Sequence, residues 1–266
     1  MKKDYPILEY DGTVEALIDP FKQKKRDIPT LGVFTFFNDV IKKLASEGKI
    51  KEIHVMKSEI GDNPVYEFIP EEEEQNTQRV LLFHPGLGAP LSAGTLDELI
   101  GLGLQYVIVC GGAGVLDGNI VRGHIIIPIK AVRDEGTSYH YLAPSRYTGP
   151  TPEAIQALET VLEKHDVPYI KGTTWTTDAY YRETKEKINL RREIDQCITV
   201  EMEASAFFAV AAFRKIALGQ LLYAGDDVSG DTWDFRDWVN NKSVREKLVW
   251  LAKEAVEELA KNIKKR

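Results

Sequence analysis

The sequence predicts an α/β protein, a three-layer α/β/α domain on a central mixed, largely parallel sheet. Three observations carry that expectation. Apolar runs of strand length alternate with helical patterns along the chain. Two of those runs, YVIVC (106–110) and HIIIPI (124–129), are continuous rather than alternating, the pattern of strands covered on both faces. The chain has 266 residues, 43% of them hydrophobic, enough for one large core, and residues 1–266 read as a single domain.

In chain order the expected strands are LGVFTF (31–36), KEIHVM (51–56), VYEFI (65–69), RVLLFH (79–84), QYVIVC (105–110), HIIIPIKAV (124–132), TSYHYL (137–142), PYIKGTTW (168–175) and LGQLLYAG (218–225). Helices announce themselves by their start signals. Asn38 is placed to cap DVIKKLASE, which Gly48 ends, and Thr151 with Pro152 opens PEAIQALETVLEKH. Ser243, followed three residues on by Glu246, has the spacing of a capping box for the long C-terminal helix. PEEEEQN (70–76) reads as an exposed turn between two strands.

Charge and cysteine content exclude several classes. Lys+Arg 34 against Asp+Glu 41 leaves a net charge of -7, and the basic runs KQKKR (22–26) and KNIKKR (261–266) read as solvated ends rather than a nucleic-acid footprint. Cys110 and Cys197 are far apart and fit neither a metal-ligand spacing nor a disulfide scaffold. The N-terminal MKKDYPILEYDG lacks a signal-type apolar core, and no stretch approaches a membrane span, so a cytoplasmic location is expected.

In sheets of this kind ligands collect beyond the carboxyl ends of the strands. Three strand ends stand out: RVLLFH runs into PGLGAP (85–90), QYVIVC into GGAG (111–114), and LGQLLYAG into Asp226 and Asp227. Glycine there lets backbone N–H groups approach a ligand, although a tight turn explains either cluster equally well. Neither cluster is a dinucleotide fingerprint, and no Gly-Lys-Ser/Thr of a phosphate-binding P-loop occurs.

The stretch TVEMEASAFF (199–208) poses a different question, because two glutamates precede a helix that is apolar all round. If the backbone is extended there, Glu201 and Glu203 point to the same side and can grip vicinal hydroxyls. If it is helical, they diverge by about 200°. In that case they serve only the helix dipole.

TVEMEASAFFAVAAF resembles the nucleoside phosphorylase family, the uridine and purine nucleoside phosphorylases and related nucleosidases. PGLGAP, VCGGAGVLDGNIVRGHIIIP, RDEGTSYHYLAP, TTDAYYRET and AGDDVSG are similar to further family segments in the family's order, over about residues 80–230; the portion at about 1–78 is less family-like. The resemblance implies that Glu203 binds the ribose 2′- and 3′-hydroxyls, with Glu201 and Met202 lining the sugar pocket. It implies that Tyr180 stacks on the base, with Asp178 beside it. Gly86 and Gly88 fall in the first glycine turn, while Gly112, Ala113 and Gly114 match the loop that cradles sugar and nucleophile. Asp227 matches the aspartate that protonates a departing purine, with Asp226 where a serine is usual; which of the two faces the pocket stays open. No metal or organic cofactor is implied, only inorganic phosphate as co-substrate and a homo-oligomeric assembly.

The chain departs from the family in one respect. Phe36 and Val109 stand where phosphate-holding arginines would be, and Gly112 replaces a hydroxyl residue; Arg133, Arg182 and Arg122 lie in segments expected near the cleft, where each reads as a surface or structural arginine. The expected activity is phosphorolysis of a ribonucleoside. Hydrolysis of the same bond is the alternative that the missing arginines favour, and a non-catalytic nucleoside-binding protein is the third reading. Asp227 points to purines, RDEGTSYHY to the uridine branch.

Overall fold

The computed structural model describes residues 3–22, 26–70, 78–240 and 242–264. The interior of the basic run (23–25), the end of the tail (265–266) and nearly all of PEEEEQN (71–76) lie outside the described residues. Among the described residues ten strands join one mixed sheet: β1 (Leu31–Thr35), β2 (Ile50–Ser58), β3 (Gly61–Phe68), β4 (Val80–Phe83), β5 (Tyr106–Val115), β6 (Ile125–Asp134), β7 (Tyr147–Thr148), β8 (Tyr169–Thr177), β9 (Cys197–Glu201) and β10 (Ala217–Asp227). The order is β10-β6-β8-β9-β5-β1-β4-β3-β2, with β7 on β6 and a further pairing of β10 with β5. That last pairing closes β5, β10, β6, β8 and β9 into a ring, from which β1 to β4 extend as an open wing.

Seven α-helices among the described residues cover the sheet: α1 (Asn38–Ser46), α2 (Ala89–Leu102), α3 (Ser138–Tyr141), α4 (Pro152–Lys164), α5 (Lys185–Glu193), α6 (Ala204–Arg214) and α7 (Lys242–Lys264). Two apolar clusters separate the layers. Val40, Leu44, Leu158, Val161, Leu248 and Val256 of α1, α4 and α7 pack on one face, and Leu96, Leu99, Phe207 and Phe208 of α2 and α6 on the other. The three-layer expectation thus holds, and the continuous strands are indeed covered on both faces.

Four local readings change. TSYHYL forms no strand; Glu135 accepts the N–H of Ser138 at 2.9 Å and winds the segment into the single turn α3. Its aromatic, β-favouring composition is overridden by one side-chain acceptor at the turn's start. Asn38 is the first residue of α1 rather than its cap, and the Phe37 N–H goes to the Thr35 hydroxyl instead. Ser243 lies within α7, and Glu246 pairs with Lys43 at 2.6 Å, so no capping box forms. Finally, Gly111–Gly114 are no loop, because they continue β5 between β10 and β9.

One buried network fixes the approach to β9. Asp195 is 1% exposed and receives Arg146 at 2.6 and 2.8 Å, the Tyr147 hydroxyl at 2.7 Å and Arg191 at 3.1 Å. Arg191 also holds Asp134 of β6 at 2.8 Å, so β6, β7, α5 and the entry to β9 share one set of charges.

Candidate active site

A cavity of about 670 Å3 opens over the carboxyl ends of β5, β9 and β10. Its floor is Gly112, Ala113 and Gly114 of β5. A Cβ on Gly112 would stand 3.1 Å from the Tyr223 ring, and one on Gly114 would stand 3.1 Å from Val200. The glycines therefore serve close packing between strands, and their bare backbone leaves the floor open.

The glutamate pair is neither extended nor helical throughout. Glu201 ends β9, Met202 bends, and Glu203 is the residue before α6, with φ -137 and ψ -26. The Glu201 carboxylate accepts the Thr176 hydroxyl at 2.6 Å and the N–H groups of Glu203 and Ala204 at 2.7 and 2.6 Å. It is thus the cap of α6, satisfying backbone donors that the apolar helix cannot satisfy itself. Glu203 is 4% exposed, and one of its oxygens accepts the Gly88 N–H at 2.6 Å. Glu201, Met202 and Glu203 all line the cavity. Burial pushes both carboxyls above the ordinary range, and the Glu201 charge raises Glu203 further.

The first glycine turn acts through Gly88. Its φ of 85 is a left-handed value natural to glycine, and it presents its N–H to Glu203. Gly86 lies off the cavity wall; a Cβ there would meet Leu91 at 2.2 Å.

At the other end of the floor, β10 carries a register shift between Ala224 and Asp227. Asp226 lines the cavity and accepts the indole N–H of Trp233 at 2.6 Å. Asp227 does not line it. Its carboxylate pairs with Arg236 and accepts the Ser229 N–H at 2.7 Å, while its backbone pairs with Asp234. Tyr180 lines the wall, its ring 4.2 Å from Tyr181. Asp178 is exposed, accepts the Gly136 N–H at 2.8 Å and stays off the wall.

Several lining residues escaped the sequence reading. Glu183 sits in the quoted TTDAYYRET, where its spacing three residues after Tyr180 was the available signal. Its carboxyl is pushed up to about 7 by burial and by the neighbouring Asp226 charge. Trp233, Phe235 and Trp238 bring an aromatic wall from TWDFRDW. Arg245 of α7 is the one cationic side chain among the described lining residues. Its guanidinium stands 5.4 Å from the ring centres of both Phe37 and Trp238, and it donates to the Tyr223 hydroxyl at 3.3 Å and to Asp39 at 3.4 Å. Of the three arginines expected near the cleft, Arg133 spends its donors on Ser138, Leu142, Ala143 and Ser145. Arg122 donates to backbone carbonyls of Arg236 and Asp237, Arg182 is exposed, and none of the three lines the cavity. Val109 is fully buried in the core, whereas Phe36 lies on the cavity wall. Among the described residues no cluster of three or more His, Cys, Asp or Glu could hold a metal ion, and no helix is long and apolar enough to cross a membrane.

A mixed sheet closed on one side, with buried carboxylates over a glycine floor at its strand ends, is the architecture of a phosphorylase-like domain. The chain belongs to the phosphorylase superfamily, whose family model matches residues 30–263. It is 27% identical over 155 residues to a guanosine phosphorylase of Halorubrum lacusprofundi, covering 56% of this chain and 64% of that one. It is 29% identical over 154 residues to a uridine phosphorylase of Treponema pallidum, covering 54% and 59% respectively. The matched stretches thus span somewhat under two thirds of those curated relatives. The AMP nucleosidase of Bacteroides thetaiotaomicron shares the fold, with a TM-score of 0.71 and 23% identity over 90% of this chain and 91% of that one.

Proposed function

We propose that the protein is a nucleoside phosphorylase, which cleaves the N-glycosidic bond of a ribonucleoside with inorganic phosphate to give free base and ribose 1-phosphate. The observation that carries the reading is Glu203: a buried carboxyl on the cavity wall, anchored by the Gly88 N–H and sharing the cavity with an open glycine floor. A pentose lying on Gly112–Gly114 would present its 2′- and 3′-hydroxyls to that carboxyl and to Met202. Glycosidic cleavage builds positive charge on the sugar and negative charge on the base. Fixed carboxyls at the hydroxyls and an acid at the base address both ends of that separation.

Phosphate as the nucleophile draws support from Arg245. A guanidinium has five donors, and two are engaged here, at lengths of 3.3 and 3.4 Å. The donors left over, beside Gly112 and Tyr223, suit a tetrahedral oxyanion. The residue comes from the C-terminal helix, not from the segments where the family carries its arginines. Water as nucleophile is the second reading, favoured by Phe36 on the wall where such an arginine would stand.

The test is base release from purine and pyrimidine ribonucleosides, with and without phosphate. Phosphate-dependent release with ribose 1-phosphate is the expected result. Release without phosphate establishes hydrolysis, and no release from any nucleoside overturns the enzymatic reading. Arg245→Ala is expected to raise the KM for phosphate by about 10- to 100-fold, the equivalent of a charged hydrogen bond of ~1.5–3 kcal/mol. An unchanged KM for phosphate removes Arg245 from the assignment.

A further inference from the structure

Resting on the reading of this cavity as a glycosidic-bond-cleaving site, we infer that Glu183, which shares the cavity wall with Asp226, is the acid that protonates the departing base, and that the base is a purine. Three observations place Glu183 there. It ends the single turn formed by Tyr180–Arg182, and it lines the cavity on the same wall as Tyr180 and Tyr181. Asp226, the neighbouring carboxylate, rises from the floor beside Gly114, where a Cβ would lie 3.5 Å from its oxygen. The Glu183 carboxyl is half-buried and carries no hydrogen bond from a described residue, so it is available to a ligand.

The two carboxyls divide the work. An indole N–H can only donate, so Trp233 at 2.6 Å holds Asp226 as an acceptor. Glu183 has no such donor, and burial together with the Asp226 charge keeps its proton on until the pH reaches about 7. The other titratable and charged groups sharing the cavity are Glu201 and Glu203 at the β9–α6 junction, Tyr180 and Tyr181 on Glu183's own turn, Tyr223 on β10 and Arg245 on α7. Arg182 and Lys185 flank Glu183 in sequence and are exposed, Lys185 being paired with Asp231. The cation at Arg245 lies beside Gly112, two residues and about 7 Å along β5 from Gly114. Nucleophile and leaving group thus have separate ends, with room for the sugar between.

The substrate class follows from leaving-group chemistry. As the C1′–N9 bond breaks, its electron pair passes into the purine, whose N7 takes the proton from Glu183 while a phosphate oxygen bonds to C1′. Solvent then returns a proton to Glu183, balancing the one that hydrogen phosphate gives up in becoming an ester. Uracil instead delocalises the charge onto its carbonyl oxygens, which amide or guanidinium donors suit, and the one guanidinium among the described lining residues, Arg245, stands at the phosphate end. No amide side chain lines the cavity among the described residues.

The experiment measures kcat against pH for inosine, 7-methylguanosine and uridine, with wild type, Glu183→Gln and Asp226→Asn. A 7-methylated base leaves without needing a proton at N7. Wild-type kcat on inosine should fall as the pH rises through about 7, because the donor form is lost. Glu183→Gln should lose about 10²- to 10⁴-fold in kcat on inosine, with KM little changed, yet keep near wild-type turnover of 7-methylguanosine. Asp226→Asn should move the alkaline limb to lower pH, since it removes a charge that holds the Glu183 proton in place. Equal losses on inosine and 7-methylguanosine, or an unmoved alkaline limb in Glu183→Gln, overturn the inference. Wild-type cleavage of uridine but not inosine overturns it too while leaving the phosphorylase reading intact; no cleavage of any nucleoside defeats that reading itself.

Discussion

Glu203→Ala is expected to lower kcat/KM for ribonucleosides by about 10²- to 10³-fold, the loss of one or two hydrogen bonds to sugar hydroxyls, each leaving a buried polar group unpaired at ~1–3 kcal/mol. The effect should be smaller for 2′-deoxynucleosides, which already lack one of the two hydroxyls. A merely structural glutamate would penalise both substrates alike, so the ratio is the deciding number. Stability should respond differently. The Glu203 carboxyl is buried beside Glu201 and binds its proton more tightly in the folded protein than in the unfolded chain. A group raised in this way contributes most below its unfolded value, and its contribution is lost as the pH rises. Glu203→Gln should therefore flatten the decline of the melting temperature as the pH rises from 4.5 through about 8, the unfolded and folded values. A decline identical to wild type would show that Glu203 is not the titrating group.

Asp195→Ala is expected to destabilise the fold by ~3–5 kcal/mol, because it strands Arg191 and half-exposed Arg146 without their shared carboxylate. In a chain of this size that corresponds to a drop of about 10 °C or more in melting temperature. Burial alone would raise the Asp195 carboxyl, but the hydrogen bonds from Arg146, Tyr147 and Arg191 prevail and hold it at about 2, against 3.8 for the free side chain. The sign is then fixed: its stabilisation is complete above 3.8 and disappears as the pH falls through about 2. Wild-type melting temperature should fall over that acid range, and Asp195→Ala should lack this part of the fall. A variant as stable as wild type at neutral pH would show that the network contributes nothing net. The consequence for function is indirect, since the same network positions β9, and β9 delivers Glu201 and Glu203.

Much of the wall was legible in the chain because it is local. TVEMEA supplies Glu201, Met202 and Glu203 within three residues, and any fold that buries the apolar α6 must carry them to its start. The glycines of β5 were legible as a site though not as a strand, since pairing with β9 and β10 is a long-range event. TSYHYL was misread for a similar reason: a strand-like composition lost to a single bond from Glu135. Which of Asp226 and Asp227 faces the pocket was not legible, because the bulge in β10 and the Arg236 pairing decide it.

The sequence by itself determined the layered α/β architecture and the carboxylates over a glycine floor, because hydropathy period and short motifs act over a few residues. Only the tertiary structure decided that Glu201 spends its oxygens capping α6, that Asp226 rather than Asp227 meets the cavity, and that Glu183 and Arg245 join it from segments some 60 residues apart. Those choices depend on which donors and charges are brought within hydrogen-bond reach, and that is set by the packing of β8, β10 and α7 around β5, not by spacing along the chain.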